Sequence, residues 1–439
     1  MKLSGKNVIV VGLGKSGQAA ARLLREQGAK VVGTDSAPLE RLPASARELG
    51  IELRAGGHDG VPFHKADLVV VSPGVPSFAA LDRAVEAGVE VIGELELACR
   101  YIDAPLVAIG GTNGKSTTTT LVGELLSAGG NRVFVGGNLG TPAAEAAGAE
   151  YDFVVLEVSS FQLERAPRFH PQVNVLLNVT DDHLDRYPSF SAYADAKGNS
   201  FVNQVPGDAA IVPFGDAVCE EQARRGKGDL VTFGRAGDYA VEEGSVVEAK
   251  SGERFSLAEA RLFGRHNHEN AAAAIAAVRA LSASAEAVRL GLRRFEPLPH
   301  RMVFVAEIGG VRYFDDSKAT NVGAAVTALG GLAEPKAVLI AGGRDKHGSY
   351  APLVEVLRER GRAVVVLGEA AGRIFEAIGG AVPVERAETL EDAVERAARL
   401  AKPGDAVLLS PACSSLDMFK SYAERGDRFA DAVRKRRSA

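Results

Sequence analysis

The sequence predicts an α/β protein made of three consecutive units, each built on a largely parallel sheet. Two observations predict this class. Short apolar runs rich in valine and isoleucine alternate with helical patterns along most of the chain, and this alternation is typical of parallel strands joined by crossover helices. The length of 439 residues also suits about three ordinary domains. We expect the units at 1–92, 93–297 and 298–439.

Strands and helices are predicted in each of the three units. In the first unit we expect helices from Ser16 and around Ser45–Leu49. The strands predicted for the three units are Val8–Val11, Val31–Thr34 and Leu68–Ser72, then Leu106–Ile109, Arg132–Val135, Phe153–Val158 and Val173–Asn178, and last Ala337–Ala341, Ala363–Leu367, Val382–Val384 and Ala406–Ser410.

The segment 208–263 has a different pattern. Its short strands, Ala209–Val212 and Leu230–Phe233, lie among glycines and charged residues, and we expect them to form an antiparallel layer or edge on the central sheet. An alanine-rich helix, Asn270–Ala283, follows. The two prolines in Phe295–His300 then indicate a linker, because proline ends helices and favours extended chain.

Composition excludes several classes of protein. The net charge of −5 gives no basic surface for nucleic acid, and no apolar run is long enough to cross a membrane. The N-terminus leads directly into a strand, which leaves no room for a signal peptide. Three unpaired cysteines suit free thiols in a reducing cytoplasm. Nothing in the sequence indicates an oligomer, so we expect a cytoplasmic monomer.

A glycine-rich loop between a strand and a helix is the most informative feature. The strand ending at Ile109 runs into Gly110–Ser116, and a helix opens at Thr117. Such a turn directs backbone N–H groups and the positive end of a helix dipole at phosphate. Lys115 supplies a charge for the β- and γ-phosphates, and Ser116 a hydroxyl for Mg²⁺. The general P-loop pattern has glycine where this chain has Ile109, yet the phosphate-contacting elements are kept. We expect ATP or GTP on Gly111, Thr112, Asn113, Gly114, Lys115, Ser116 and Thr117.

The first unit carries a dinucleotide-type fingerprint. The glycine turn Gly12–Gly17 follows a strand and opens a helix, and Asp35 follows the second strand, as in a Rossmann fold. This turn holds the diphosphate of a UDP-sugar as readily as that of NAD, and a purely structural turn is the third possibility. We favour a UDP-type ligand. Gly74 brings backbone close to the same crevice.

Polar residues at the ends of later strands are further candidates. Glu157 ends a buried strand beside the P-loop, where a carboxylate suits Mg²⁺, although a structurally paired glutamate is the alternative. His183 lies among carboxylates after the next strand, and a surface histidine is equally compatible with the sequence. From the sequence alone, Lys197 has the pattern of a solvated helix lysine.

Three more polar groups lie near domain junctions. His266–Asn270 either caps the alanine-rich helix or contacts a nucleotide through Asn270, and Arg301 follows the linker, where a cation suits phosphate. The segment Tyr313–Asn321 combines acid, amine and hydroxyl groups at a strand end, with a helix N-cap at Asp316 or Ser317 as the alternative.

Six motifs resemble those of the Mur ligases of peptidoglycan synthesis, over essentially the whole chain. They are Gly111-Thr-Asn-Gly-Lys-Ser-Thr117, Leu156-Glu-Val-Ser-Ser-Phe-Gln-Leu163, Asp181-Asp-His-Leu-Asp185, His266-Asn-His-Glu-Asn270, Asp315-Asp-Ser-Lys-Ala-Thr-Asn321 and Ser410-Pro-Ala-Cys-Ser-Ser-Leu-Asp417. Phe161-Gln-Leu163 and the ending Ser415–Gly426 are most similar to the members that add D-glutamate. The diaminopimelate-type Asp-Asn-Pro-Arg signature is absent.

The resemblance implies a chemistry and a set of residues. ATP phosphorylates the alanine carboxylate of UDP-N-acetylmuramoyl-L-alanine, and the amine of D-glutamate attacks the acyl phosphate. It implies two Mg²⁺ ions on Ser116, Glu157, Ser159, His183 and a carbamylated Lys197, with Lys115 catalytic. It further implies ATP contacts at Asn270, Arg301, Asp316 and Lys318; nucleotide-sugar contacts at Gly14, Asp35, Ser36, Gly74, Asn138 and Gln162; and D-glutamate contacts at Thr320, Lys346, Ser415 and Tyr422.

Three positions depart from the family pattern: Ser36-Ala37 stands where relatives can place threonine and arginine, and Tyr422 where phenylalanine also occurs. Three rival functions remain open at this stage. They are another Mur or folate-polyglutamate ligase, a nucleotide-dependent oxidoreductase, and a nucleotide-sensing switch without catalysis.

Overall fold

The computed structural model describes residues 2–182, 186–345 and 348–438. Its first sheet has five parallel strands in the order β3-β2-β1-β4-β5. This order reverses between β1 and β4, and such a switch point opens a crevice at the carboxyl ends of the strands. The elements are β1 Asn7–Val11, α1 Lys15–Glu26, β2 Lys30–Asp35, α2 Ala44–Arg47, β3 Glu52–Ala55, β4 Leu68–Val71, α3 Ala79–Glu86, β5 Glu90–Gly93 and α4 Glu94–Cys99.

The second sheet has nine strands, in the order β14-β13-β12-β11-β10-β9-β6-β8-β7. Strand β6, which leads into the P-loop, lies between β9 and β8 and is fully buried. The elements are β6 Leu106–Gly110, α5 Lys115–Ala128, β7 Val133–Gly137, β8 Phe153–Glu157, α6 Ser160–Leu163, β9 Val173–Leu176, α7 Phe190–Gly198, β10 Ala209–Pro213, α8 Ala217–Ala223, β11 Asp229–Gly234, β12 Tyr239–Glu242, β13 Ser245–Glu248, β14 Arg254–Ser256, α9 Arg265–Ala280 and α10 Ala285–Arg294.

The third sheet has six strands, in the order β15-β16-β20-β17-β18-β19, and only the β15–β16 pair is antiparallel. The elements are β15 Val303–Ile308, β16 Val311–Asp315, α11 Val322–Gly331, β17 Ala337–Gly342, α12 Ala351–Arg360, β18 Gly361–Leu367, α13 Ala371–Ile378, β19 Val384–Arg386, α14 Leu390–Leu400, β20 Ala406–Leu409 and α15 Tyr422–Ser438.

The central core places α5 and α9 side by side against the second sheet. The run Ala271–Ala274 of α9 is completely buried, and alanine lets a helix approach its neighbours closely. Gly291 of α10 serves the same purpose, because a Cβ there would lie 2.8 Å from the Cα of Leu125 in α5. This packing holds the P-loop helix in place.

The predicted α/β class with three sheets is confirmed, and several local predictions are wrong. Strands β10 and β11 pair in parallel; the antiparallel edge consists of β12, β13 and β14. Helix α5 begins at Lys115, two residues before the prediction. The strand predicted at Val382–Val384 lies instead at Val384–Arg386. The domain boundaries remain a prediction.

Helix ends account for two further corrections. The His266–Asn270 motif lies inside the first turns of α9, whose N-cap is Gly264 without a side-chain hydrogen bond. Neither Asp316 nor Ser317 caps α11; its cap is Asn321, whose Oδ1 accepts from the Ala324 N–H at 2.7 Å. Among the described residues, no helix is long and apolar enough to span a membrane.

Candidate functional site

The P-loop adopts a conformation that glycine alone accommodates. Gly111 and Gly114 have φ of +140° and +85°, values at which a side chain is strained. A Cβ on Gly114 would also lie 2.4 Å from Oδ1 of Asn270 in α9. Asn113 is fixed by its N–H, which donates to Oδ1 of Asn178 at 2.9 Å. The loop is therefore a rigid cradle whose floor includes the predicted nucleotide contact Asn270.

A partly buried lysine and a buried one meet at one carbonyl of this loop. Lys115 Nζ donates to the carbonyl oxygens of Gly111 and Thr112, each at 2.8 Å. Lys197 Nζ, from α7, donates to the same Gly111 oxygen at 2.8 Å. Burial lowers the pKa of both lysines, and the neighbouring Lys115 charge lowers the pKa of Lys197 further, well below its usual range. The sequence-only interpretation of Lys197 as a solvated lysine is wrong, because the residue is 3% exposed.

Glu157 ends β8 directly beside the P-loop strand, with Ile109 of β6 as its ladder partner. Its Oε1 accepts from Asn138 Nδ2 at 2.7 Å. Its Oε2 is buried without a hydrogen-bond partner in the described part of the chain. A buried, unpaired carboxylate oxygen is costly, and it is a ligand of the kind that Mg²⁺ prefers. The residues present thus fit one magnesium ion at this position, and Ser116 is at the start of the adjacent helix.

Ser159 and Gln162 form a capping box at the start of α6. The Ser159 N–H and hydroxyl both donate to Gln162 Oε1 at 2.9 Å, and the Gln162 N–H donates back to Ser159 Oγ at 3.4 Å. This turn follows Glu157 immediately, so the predicted metal ligand Ser159 and the predicted substrate contact Gln162 are held beside the carboxylate.

The third unit contributes a cation to the P-loop. Arg301 NH2 donates to Ser116 Oγ at 2.8 Å, across 185 residues of sequence. The flanking residues His300 and Met302 have φ of +62° and +51°, which turns the chain sharply at Arg301. Burial lowers the pKa of Arg301, while the charges of Glu157 and Asp316 oppose that shift. The predicted phosphate clamp is therefore adjacent to the predicted metal ligands.

Asp316 closes the other side of the same cleft. Its Oδ2 accepts from Ser410 Oγ at 2.9 Å and its Oδ1 from the Met302 N–H at 3.3 Å. Burial raises the pKa of Asp316 to about 7. The cleft between the second and third sheets is lined, among others, by Asn113, Gly114, Thr117, Asn270, Arg301, Asp316 and Lys318.

Two predicted D-glutamate contacts, Thr320 and Tyr422, contact the predicted ATP ligand Lys318. Lys318 Nζ lies over the Tyr422 ring, 4.1 Å from its centroid, and Tyr422 begins α15. Ser415 is 3% exposed, and the Thr320 N–H donates to the Lys318 carbonyl at 2.8 Å. Lys346, like the predicted metal ligand His183, lies outside the described residues.

The first unit contains four of the predicted nucleotide-sugar residues, Gly14, Asp35, Ser36 and Gly74. Asp35 Oδ2 accepts from the Leu13 N–H at 2.7 Å, and Oδ1 from the Ala37 N–H at 2.8 Å. The acid therefore stabilises the glycine turn itself. Around Gly14 and Gly74 there is open space, and Ser36 is exposed. Asn138, by contrast, lies in the second unit, where its Nδ2 donates to Glu157 Oε1.

Sequence reasoning missed two residues of this site. Tyr193 places its hydroxyl 3.3 Å from Thr112 Oγ1, and its ring lies beneath Lys197 Nζ at 4.5 Å. Arg425 is buried in the third unit, where it donates to Ser317 and to the Cys413 carbonyl. The spacing of Tyr193 four residues before Lys197 was the available signal, because such residues share a helix face. Arg425 lies within the ending Ser415–Gly426 that resembles the family, but no role was predicted for it.

Within the described residues, no group of three or more histidine, cysteine, aspartate or glutamate side chains is arranged to hold a metal. The candidate metal site described above therefore rests on Glu157, with two serines and a lysine as its other described members.

Comparison with known proteins identifies the family. Three family models match in succession: the MurD-like N-terminal domain at 6–93, the Mur ligase middle domain at 109–278, and the Mur ligase glutamate ligase domain at 300–413. A curated relative from Trichlorobacter lovleyi is 48% identical over 99% of this chain and 100% of its own length. The chain belongs to the Mur ligase family.

Other Mur ligases agree in sequence and fold. The Trichlorobacter relative is named UDP-N-acetylmuramoylalanine–D-glutamate ligase, as is one from Geobacter metallireducens, 46% identical over 99% of this chain and 98% of its own. The crystal structure of the MurF ligase from Thermotoga maritima in complex with ADP is 19% identical. It superposes with a TM-score of 0.62, over 99% of this chain and 96% of that one, and so shares the fold.

Proposed function

We propose that this Mur ligase joins D-glutamate to UDP-N-acetylmuramoyl-L-alanine with consumption of ATP, a step of peptidoglycan precursor synthesis. The observation that carries the proposal is the meeting of Lys115, Lys197 and the unpaired Glu157 oxygen around one P-loop. That cluster supports phosphoryl transfer, and the names of relatives 44–48% identical support the choice of D-glutamate.

The chain's residues then perform positioning and charge neutralisation, which phosphoryl transfer chiefly requires. A carboxylate oxygen of the alanine attacks the γ-phosphorus and ADP leaves, while Lys115 and Arg301 neutralise the charge on the transferring group. The D-glutamate nitrogen attacks the acyl carbon, and phosphate leaves as the amide forms. We assign Thr320, Lys346, Ser415 and Tyr422 to D-glutamate, and Asn270, Arg301, Asp316 and Lys318 to ATP.

The site also suits Mg²⁺, which the family generally requires. We propose that Ser116, Glu157 and Ser159 hold one ion, and that Glu157, His183 and Lys197 hold a second. Bound Mg²⁺ would neutralise phosphate charge and orient the triphosphate. We further propose that Lys197 is carbamylated, because its lowered pKa favours the neutral amine, which adds to CO₂ with loss of a proton and becomes a carboxylate-like ligand.

The remaining assignments complete the proposal. We propose that Gly14, Asp35, Ser36, Gly74, Asn138 and Gln162 bind the nucleotide sugar. We also propose that the enzyme works as a cytoplasmic monomer and that its substrates are three small molecules: ATP, D-glutamate and UDP-N-acetylmuramoyl-L-alanine.

Phosphate release across a panel of amino acids tests the function directly. With ATP, Mg²⁺ and UDP-N-acetylmuramoyl-L-alanine present, we expect D-glutamate to support turnover. We expect L-glutamate, L-alanine and diaminopimelate to give less than about a tenth of that rate. Preference for another amino acid would point to a different Mur ligase. Reduction of NAD without ATP hydrolysis would favour the oxidoreductase, and ATP binding without amino-acid-dependent phosphate release would favour the sensing switch.

A further inference from the structure

Arg165, for which the described residues supply no acidic ion-pair partner, lies where the first sheet meets the second. Arg165 follows α6, and its NH1 donates to the Val75 carbonyl at 3.2 Å. Val75 is the residue after Gly74, in the segment that leaves β4. The Arg165 carbonyl accepts from the N–H of Gly93, the last residue of β5, at 2.7 Å. Both ends of Arg165 are thus tied to the carboxyl edge of the first sheet, one to the segment after β4 and the other to the end of β5.

The charge of Arg165 is not matched by an ion pair. In the described ranges the bond to Val75 is the only hydrogen bond of its guanidinium, and no carboxylate lies within ion-pair distance. The adjacent Glu164 is already engaged: its Oε2 accepts from Arg186 NH2 at 2.9 Å and its Oε1 from the Tyr187 hydroxyl.

Partial burial makes this cation a good anion site. Burial lowers the pKa of Arg165, with Glu164 and Asp82 opposing that shift and Arg186 reinforcing it. The side chain is half-buried, and its unused N–H groups form a rigid fork that matches phosphate oxygens. A half-buried guanidinium without a partner is stabilised when a bound anion pairs with it.

The predicted nucleotide-sugar residues themselves lack a cation. Among them Asp35 is negative, and it occupies the Leu13 N–H that a glycine turn would otherwise offer to phosphate. Lys15, at the start of α1, is exposed. Since the whole chain carries a net charge of −5, a diphosphate in this crevice needs a local positive group.

We propose that Arg165 binds the diphosphate of the nucleotide sugar. The inference rests on the proposed function, and it adds a positively charged contact that no resemblance supplied. Arg165 lies between two predicted contacts of that substrate: Gly74 precedes its partner Val75, and Gln162 is three residues before it along the same turn. It would hold the substrate at the junction of the two units.

Binding of UDP and of uridine to Arg165→Gln separates the diphosphate from the nucleoside. By titration calorimetry we expect UDP to bind about 10- to 100-fold more weakly than to wild type, the usual range for a lost hydrogen bond to a charged group, with uridine unchanged. In turnover assays we expect KM for the nucleotide sugar to rise by a similar factor, with KM for ATP and D-glutamate within about twofold. Arg165→Lys keeps the charge but not the fork, so it should lie in between.

Arg168→Gln is the matched control, an exposed arginine three residues further on, and it should behave as wild type. Equal affinity of wild type and Arg165→Gln for UDP would overturn the proposal. Parallel losses for UDP and uridine would also overturn it, because they indicate a structural role. Should Arg165→Gln not fold, the UDP affinity of Arg165→Lys decides by the same criteria. A wild-type protein that binds UDP but turns over no nucleotide sugar would contradict the proposed function and leave the Arg165 contact standing.

Discussion

Replacing Lys115 with alanine is expected to lower kcat by about 10³-fold, the upper range for removing one group that stabilises transition-state charge. Lys115 is the first residue of α5, and its ammonium donates hydrogen bonds to the P-loop carbonyls of Gly111 and Thr112. In the proposed function this ammonium faces the transferring group when a triphosphate occupies the loop. The measurement is phosphate release under saturating substrates, together with ATP affinity.

A control on the same chain distinguishes this role from a loss of charge in general. Lys250 is exposed in the turn after β13, and Lys250→Ala should keep wild-type turnover. Thermal unfolding of both variants checks that Lys115→Ala is folded, since its side chain also bonds the loop. A folded Lys115→Ala enzyme with near-normal kcat would contradict the role assigned to this lysine.

Lys197→Ala is expected to lose at least about 100-fold in kcat, the lower range for a missing electrostatic contact at the reacting phosphate. The reason is specific to the proposed carbamate: without it the variant would lack a carboxylate-like metal ligand, and a small free carboxylate such as formate or acetate can occupy the space that the side chain leaves. We therefore expect added short-chain carboxylic acids to restore part of the activity. The assay is phosphate release as a function of acid concentration.

The comparison with Lys115→Ala makes this rescue informative. The same acids should not restore Lys115→Ala, which lacks a cation, and should leave wild type unchanged. Removal of CO₂ from the buffer should lower wild-type activity reversibly. Absence of rescue, combined with an unmodified Lys197 in a metal-bound structure, would contradict the carbamate.

The P-loop was predictable because its determinants are local. The glycines of Gly111–Gly114 take positive φ in the turn itself, and the strand before it is continuously apolar. Pattern reasoning was also sufficient for Glu157, since a strand that ends in a carboxylate beside another strand end limits where that group lies. The succession of three α/β units was predictable from the alternation of strands and helices along the chain.

Contacts between distant parts of the chain were not predictable from local pattern. Lys197 lies on a helix without an apolar stripe, and the packing of that helix places its ammonium on the Gly111 carbonyl, 86 residues away in sequence. The Arg301–Ser116 hydrogen bond joins two units across 185 residues. Strands β10 and β11 resemble edge strands in composition, yet they pair in parallel within the long central sheet. Only the resemblance to a family singled out Lys197 as a candidate site residue.

Oxygen transfer from substrate to phosphate tests the central claim most directly. The substrate is UDP-N-acetylmuramoyl-L-alanine labelled with ¹⁸O in both oxygens of the alanine carboxylate, and the product phosphate is analysed by mass spectrometry. Because the carboxylate attacks the γ-phosphorus and phosphate then leaves from the acyl carbon, the account predicts a single ¹⁸O atom in each released phosphate. Amide formation with D-glutamate that yields phosphate free of ¹⁸O would contradict it.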